Sequence, residues 1–76
     1  MKTTRYFKEQ ILLKRNYLSI EMCEKVIKNP IKKEVQPDGR TRYWGFVYEL
    51  DKIIRVVVLE DGETLHNAFM DRGFKQ

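Results

Sequence analysis

Residues 42–72, RYWGFVYELDKIIRVVVLEDGETLHNAFMDR, constrain the fold of this chain more than any other stretch. They hold three runs rich in aromatic and β-branched residues separated by short turn candidates, the pattern of three consecutive antiparallel strands. Asp61-Gly62 fits a two-residue hairpin turn, because glycine accepts positive φ at no steric cost. Leu50-Asp51 is expected to close the preceding hairpin in the same way. Counting from these turns assigns the faces. Tyr43, Gly45, Val47, Ile54, Val56, Val58, Leu65, Asn67 and Phe69 share one face, which reads as core. Arg42, Trp44, Phe46, Tyr48, Ile53, Arg55, Val57, Leu59, Thr64, His66, Ala68 and Met70 share the other, which gathers two arginines, the only tryptophan and the only histidine. Arg55 stands between Ile54 and Val56, so its charge requires an anion or a carboxylate.

The segment before these strands reads as helical. TTRYFKEQILLKR lacks glycine and proline, Thr3 or Thr4 can cap it, Phe7 and Ile11 lie four apart, and Leu12 and Leu13 widen the apolar side. Arg5, Lys8 and Arg15 stay outside or along the flank. Ser19 caps a second helix whose buried stripe is Ile20, Cys23, Val26 and Ile27, and Asn29-Pro30 stops it. Residues 31–36 form a strand whose lysine pair and following Pro37 suit a sheet edge. Pro37-Asp38-Gly39-Arg40 then turns the chain, and Gly45 marks a bulge or a close backbone approach. The expected fold is one α+β domain over residues 1–76, two N-terminal helices packed on one face of a four-stranded antiparallel meander.

Composition narrows the function. A chain of 76 residues buries only about 60% of the surface its unfolded form exposes, so there is one thin core. A single cysteine excludes an internal disulfide and gives no partner for a cysteine-based zinc site, which suits a reducing, cytoplasmic setting. No apolar run reaches membrane-span length, and the charged start MKTTRYFKEQ is not followed by the apolar stretch of a signal peptide. Residues 1–48 carry eleven basic against five acidic residues, and residues 49–76 carry four against six. With a net charge of +4 and a pI near 9.3, an anionic partner is favoured, RNA among them. Gly-rich phosphate loops, nucleophile elbows and metal-spaced His/Cys/Asp clusters are absent from the sequence, and neither a cofactor nor a metal is implied.

Several stretches together resemble the small bacterial toxin ribonucleases of the RelE/ParE and BrnT groups, within the wider barnase–EndoU–colicin–RelE architecture. These are the order of elements, the step from Arg15 through Asn16-Tyr17-Leu18-Ser19-Ile20-Glu21, the helix ending Val26-Ile27-Lys28-Asn29-Pro30, and the strand pair IIRVVVLEDGETLHNAF. The resemblance implies a metal-independent endoribonuclease, often held inactive by an antitoxin laid across the sheet. It also implies that Arg55, His66, Asn67 and Arg72 serve the site. Where related domains often carry a histidine in the first helix, this chain has Tyr6-Phe7.

Cleaving RNA through its own 2′-hydroxyl requires a base, cationic donors for the pentacoordinate phosphate and an acid for the leaving oxygen. His66 is the one side chain whose ordinary pKa lies near neutrality. The counted register sets it opposite Val57 and on the face of Arg55, so both are expected at one phosphate. It is equally readable as a half-buried strand histidine bonded to backbone. Trp44 offers a stacking platform for a base or, in the plainer reading, packs under the tail. Arg72 contacts phosphate or pairs locally with Asp71. Arg42 and Lys8 complete the expected nucleic-acid-binding set with Trp44 and Asn67. The alternative to a toxin-like ribonuclease is a catalytically inert protein- or RNA-binding module on the same scaffold. Either is compatible with self-association over an apolar patch of Trp44, Phe46, Tyr48, Val57 and Met70.

Overall fold

A computed structural model describes residues 1–75. Thr4 opens the first helix by accepting a hydrogen bond from the Phe7 backbone N–H on its Oγ1, at 3.0 Å, which satisfies one of the donors a helix start leaves free. The helix runs over residues 5–14 and is π-helical over Phe7–Ile11 before an α-helical turn at Leu12–Lys14. Phe7 and Ile11 are buried, as their spacing predicts, but Leu13 is 76% exposed rather than part of the apolar side. The π turn, in which the Leu12 N–H bonds to the Phe7 carbonyl, uses an extra residue and carries Leu13 off the buried face. The second helix, Ile20–Lys28, starts at Ser19, whose Oγ accepts from the Met22 N–H at 3.1 Å. Cys23 and Val26 are buried on it, and Asn29 caps it just before Pro30.

Five strands form one sheet: β1 (Lys2–Thr3), β2 (Lys32–Val35), β3 (Thr41–Val47), β4 (Lys52–Val58) and β5 (Thr64–Met70), in the spatial order β1-β5-β4-β3-β2. β2 to β5 make the expected antiparallel meander. The correction to the expected four strands is β1, which pairs parallel with β5 through Lys2–Thr64 and Thr3–Leu65 and makes the sheet mixed. A two-residue strand is too short to show alternation, so only its neighbour reveals it. Both helices pack on one face, where Phe7, Ile11, Cys23 and Val26 meet Ile54, Val56, Val58, Leu65 and Ala68 in one cluster. Gly45 lets the second helix come close, since a Cβ there would lie 3.1 Å from a Val26 methyl and 3.2 Å from Val26 Cα. Of the two expectations for Gly45, close approach is what occurs. No helix among the described residues is long and apolar enough to cross a membrane.

Both hairpins correct the counted register. Val47 pairs with Lys52, so four residues, 48–51, make the β3–β4 turn, with Asp51 at φ 53°. The two-residue turn Leu50-Asp51 does not form. Adding two residues leaves the faces unchanged but moves every partner by two, and Trp44 comes to face Arg55. In the β4–β5 turn Gly62 takes the positive φ expected of it, 72°. Beyond it the ladder slips: Val58 pairs with Leu65 but Val57 pairs with Asn67, leaving His66 as an extra residue in a β-bulge. From that point the faces exchange. Asn67 and Phe69 stand on the open face opposite Val57 and Arg55, while Ala68 and Met70 turn to the core. The expected pairing of His66 with Val57 is therefore corrected to Asn67.

The expected apolar patch is broken up by this slip and by the C-terminal tail. Met70 packs against the core, and Trp44 is 5% exposed, leaving Tyr48, 84% exposed, in edge-to-face contact with Phe46 at 4.8 Å.

Candidate functional site

Across the open face the strand register builds one row. Lys32, Trp44, Arg55 and Phe69 are successive cross-strand partners on β2, β3, β4 and β5. The Lys32 Nζ lies 5.2 Å from the indole centroid, and the Arg55 guanidinium lies 6.0 Å from the same ring and 4.2 Å from the Phe69 ring. Arg15, from the end of the first helix, adds a further cation 5.8 Å from Phe69. Cations and aromatic rings thus alternate across four of the five strands. Each ring face offers a cation some attraction without neutralising it. Arg55 makes no ion pair with a carboxylate among the described residues, and its Nε is buried without a hydrogen-bond partner. The structural answer to an arginine in an apolar strand is here two aromatic rings, not an acid.

Beside this row lies a cleft of about 400 Å³ lined by Tyr6, Gln36, Asp38, Arg40, Arg42, Arg55, Val57, His66, Asn67 and Phe69. Three guanidinium groups face one carboxylate in this lining. Arg40 is 3.8 Å from Asp38 and Arg42 is 3.5 Å from Glu34; pairs as exposed as these contribute little and leave the cleft cationic. A larger hollow of about 540 Å³ runs along the second helix past Met22, Val26, Phe46 and Tyr48, but it contains neither histidine nor arginine. Of the two, the smaller cleft is the one that brings histidine and arginine side chains together.

His66 lines the cleft at the bulge. Its Nδ1 lies 3.1 Å from Thr4 Oγ1, and its ring is 5.2 Å from that of Tyr6 at an interplanar angle of 37°. Burial, and secondarily the charge of Arg40, hold its pKa below the usual 6.5, so the imidazole is neutral at pH 7. Asn67 Oδ1 is engaged at the sheet edge, accepting from the Ala68 N–H at 2.9 Å and from Arg15 Nη1 at 3.3 Å, while Arg15 also reaches the Ala68 carbonyl at 3.4 Å. Where β1 has ended, Arg15 and Asn67 thereby occupy the free edge of β5.

Of the residues expected at the site, Arg42, Arg55, His66 and Asn67 come together in the cleft. Trp44 does not line it. Its indole N–H donates to Asp71 Oδ2 at 2.8 Å, and the Phe74 ring stacks on it at 5.8 Å, so it lies under the C-terminal tail. Arg72 and Lys8 are exposed and stand outside the cleft lining. No Asp71–Arg72 ion pair occurs among the described residues. Arg40 and Tyr6 also line the cleft, and nothing in the sequence marks them for it: Arg40 follows a turn and Tyr6 lies at a helix start. Cys23 is a core residue, fully buried, its thiol pushed up to about 12 by burial and then by Glu24, which removes it as a nucleophile. Among the described residues no group of three or more His, Cys, Asp or Glu is placed to hold a metal ion.

Comparison of the chain with protein-family profiles, with curated proteins and with solved structures finds no match in any of the three.

Proposed function

We propose that the protein is a toxin-like, metal-independent endoribonuclease that binds RNA in this cleft and cleaves it through the 2′-hydroxyl. The observation that carries the reading is the juxtaposition of a neutral imidazole, His66, with a guanidinium that no carboxylate neutralises, Arg55, in one cationic cleft. With Nδ1–H donated to Thr4 Oγ1, the His66 Nε2 lone pair takes the 2′-hydroxyl proton. The 2′-oxygen then bonds to phosphorus, Arg55 and Arg42 stabilise the pentacoordinate phosphate, and the P–O5′ bond breaks. The imidazolium returns its proton to the leaving 5′-oxygen, giving a 2′,3′-cyclic phosphate and a free 5′-hydroxyl. An antitoxin partner would lie across the open sheet face and reach the exposed aromatic pair of Phe46 and Tyr48 at the β3–β4 turn.

A second reading, an inert RNA-binding module, draws on the same hydrogen bond. Thr4 Oγ1 already accepts from the Phe7 N–H, so its own proton is free to go to His66 Nδ1. His66 would then carry its proton on Nε2 and act as a donor to phosphate rather than as a base.

A fluorescent RNA cleavage assay with and without EDTA, run beside Arg55→Ala as a contamination control, separates the two. Cleavage that resists EDTA and disappears in the variant supports the enzyme. RNA binding without cleavage supports the module, and cleavage that survives in the variant places the activity elsewhere.

A further inference from the structure

Tyr6 stands just before the π-helical turn of the first helix. Its neighbour Phe7 is fully buried, yet Tyr6 is 46% exposed and lines the cationic cleft. One side of its ring is taken by the His66 imidazole, and its phenol oxygen has no hydrogen-bond partner among the described residues. The segment that carries the ring is anchored. Thr4, two residues before it, is fixed by its backbone N–H to the Leu65 carbonyl at 2.9 Å and by its hydroxyl to Phe7 and His66. A large aromatic surface at the rim of a cleft that carries Arg40, Arg42 and Arg55 has the two components of single-strand recognition, cations for the backbone and a ring for a base.

We infer that Tyr6 is the nucleobase platform of this site, stacking one unpaired base of a single-stranded RNA whose adjoining phosphate lies against Arg55. The inference rests on the RNA reading given above and deepens it. It moves the stacking role from Trp44, whose ring is covered by the tail, to a residue whose ring reaches solvent. It also fixes the substrate class, because a base held in a duplex cannot leave its own stack to meet the ring.

The test uses the full chain and a fluorescein-labelled single-stranded 2′-fluoro RNA decamer, which lacks the nucleophilic hydroxyl and stays intact. Fluorescence anisotropy at low salt measures binding. A 2-aminopurine at a central position reports stacking by a change in its emission. Tyr6→Ala and Tyr6→Leu are expected to weaken binding about 5- to 150-fold, the range that base–aromatic stacking supplies, and to abolish the 2-aminopurine response. Tyr6→Phe retains the ring and should keep both within about twofold. The leucine variant preserves bulk against His66, so a loss there cannot be assigned to a cavity, and thermal unfolding verifies that each variant is folded. If Tyr6→Ala binds like the unmutated protein while Arg55→Ala does not, the platform is overturned and RNA binding stands. If the unmutated protein fails to bind the decamer at all, both fall. Tighter binding of the same sequence as a duplex would also overturn the platform.

Discussion

The Arg55 guanidinium lies 4.2 Å over the centroid of the Phe69 ring, its cross-strand partner on β5. Sequence alternation puts these two residues on opposite faces, and the bulge at His66 brings them together. The contact explains how an arginine persists in an apolar strand without an acid. It also keeps the positive charge available at the edge of the cleft.

Replacing Arg55 should therefore separate stability from activity. Arg55→Ala loses cation–π contacts worth about 0.5–1 kcal/mol each but removes a buried donor that has no partner. Its unfolding free energy should change by no more than about 1 kcal/mol, while RNA cleavage falls by about 10²- to 10³-fold or more. Arg55→Lys should be nearly as inactive, since an ammonium reproduces neither the stacking nor the forked donors. Urea unfolding beside a cleavage assay reads both quantities, and a lysine variant with full activity counts against the assignment.

His66 makes stability depend on pH in a defined direction. Its folded pKa is depressed, so the neutral form is favoured in the folded state. Above about 6.5, the unfolded value, the contribution is fully present. As pH falls below that, the unfolded chain binds the proton first and stability declines until the folded value is passed. The difference in Tm between the unmutated protein and His66→Asn should narrow as the pH is lowered from 7.5 to 5. His66→Ala should slow cleavage about 10²- to 10⁴-fold and flatten its pH profile. A Tm difference that is the same at every pH would falsify the linkage.

Gly45 sets the distance between the second helix and β3. Adding a methyl forces it to within 3.1–3.2 Å of Val26, tighter than packed carbons accept. Gly45→Ala should cost about 1–3 kcal/mol, and pairing it with Val26→Ala should cost less than the two single changes added together. Denaturant unfolding of the four proteins measures the coupling. Strict additivity would show that the helix yields without help.

The Trp44 indole N–H to Asp71 contact holds the tail over the open face. Asp71→Ala removes a charge-assisted hydrogen bond together with the turn it caps through the Gly73 N–H at 3.2 Å. Stability should fall by about 1.5–3 kcal/mol, and the emission of the single tryptophan should shift to the red as its ring meets water. Unchanged emission would mean that Phe74 alone keeps the ring covered.

Local chemistry made much of this architecture readable. Thr4 and Ser19 cap helices because their side chains satisfy free N–H groups a few residues away, and Pro30 stops a helix through its own ring. Gly62 takes a positive φ because it has no Cβ, and alternation correctly placed Ile54, Val56 and Val58 in the core. Arg42, Arg55, His66 and Asn67, expected at one site from residue type and from the family resemblance, line one cleft, while Trp44, Arg72 and Lys8 stand outside it.

The partners of those residues were decided elsewhere in the chain. Alternation carries no mark of an extra residue, so the bulge that brings Asn67 beside His66 in the cleft, and Phe69 under Arg55, exists only in the pairing of β5 with β4. The β3–β4 turn took four residues rather than two, which changed no face yet set Trp44 against Arg55. β1, the tail over Trp44 and the reach of Arg15 to Asn67 are contacts between segments distant in sequence. The sequence by itself determined which residues turn, cap and alternate, because those preferences act over a few bonds. Which cation meets which ring was left to the tertiary structure, because strand register is fixed by the sum of contacts along whole strands, and a slip of one residue reassigns every side chain beyond it.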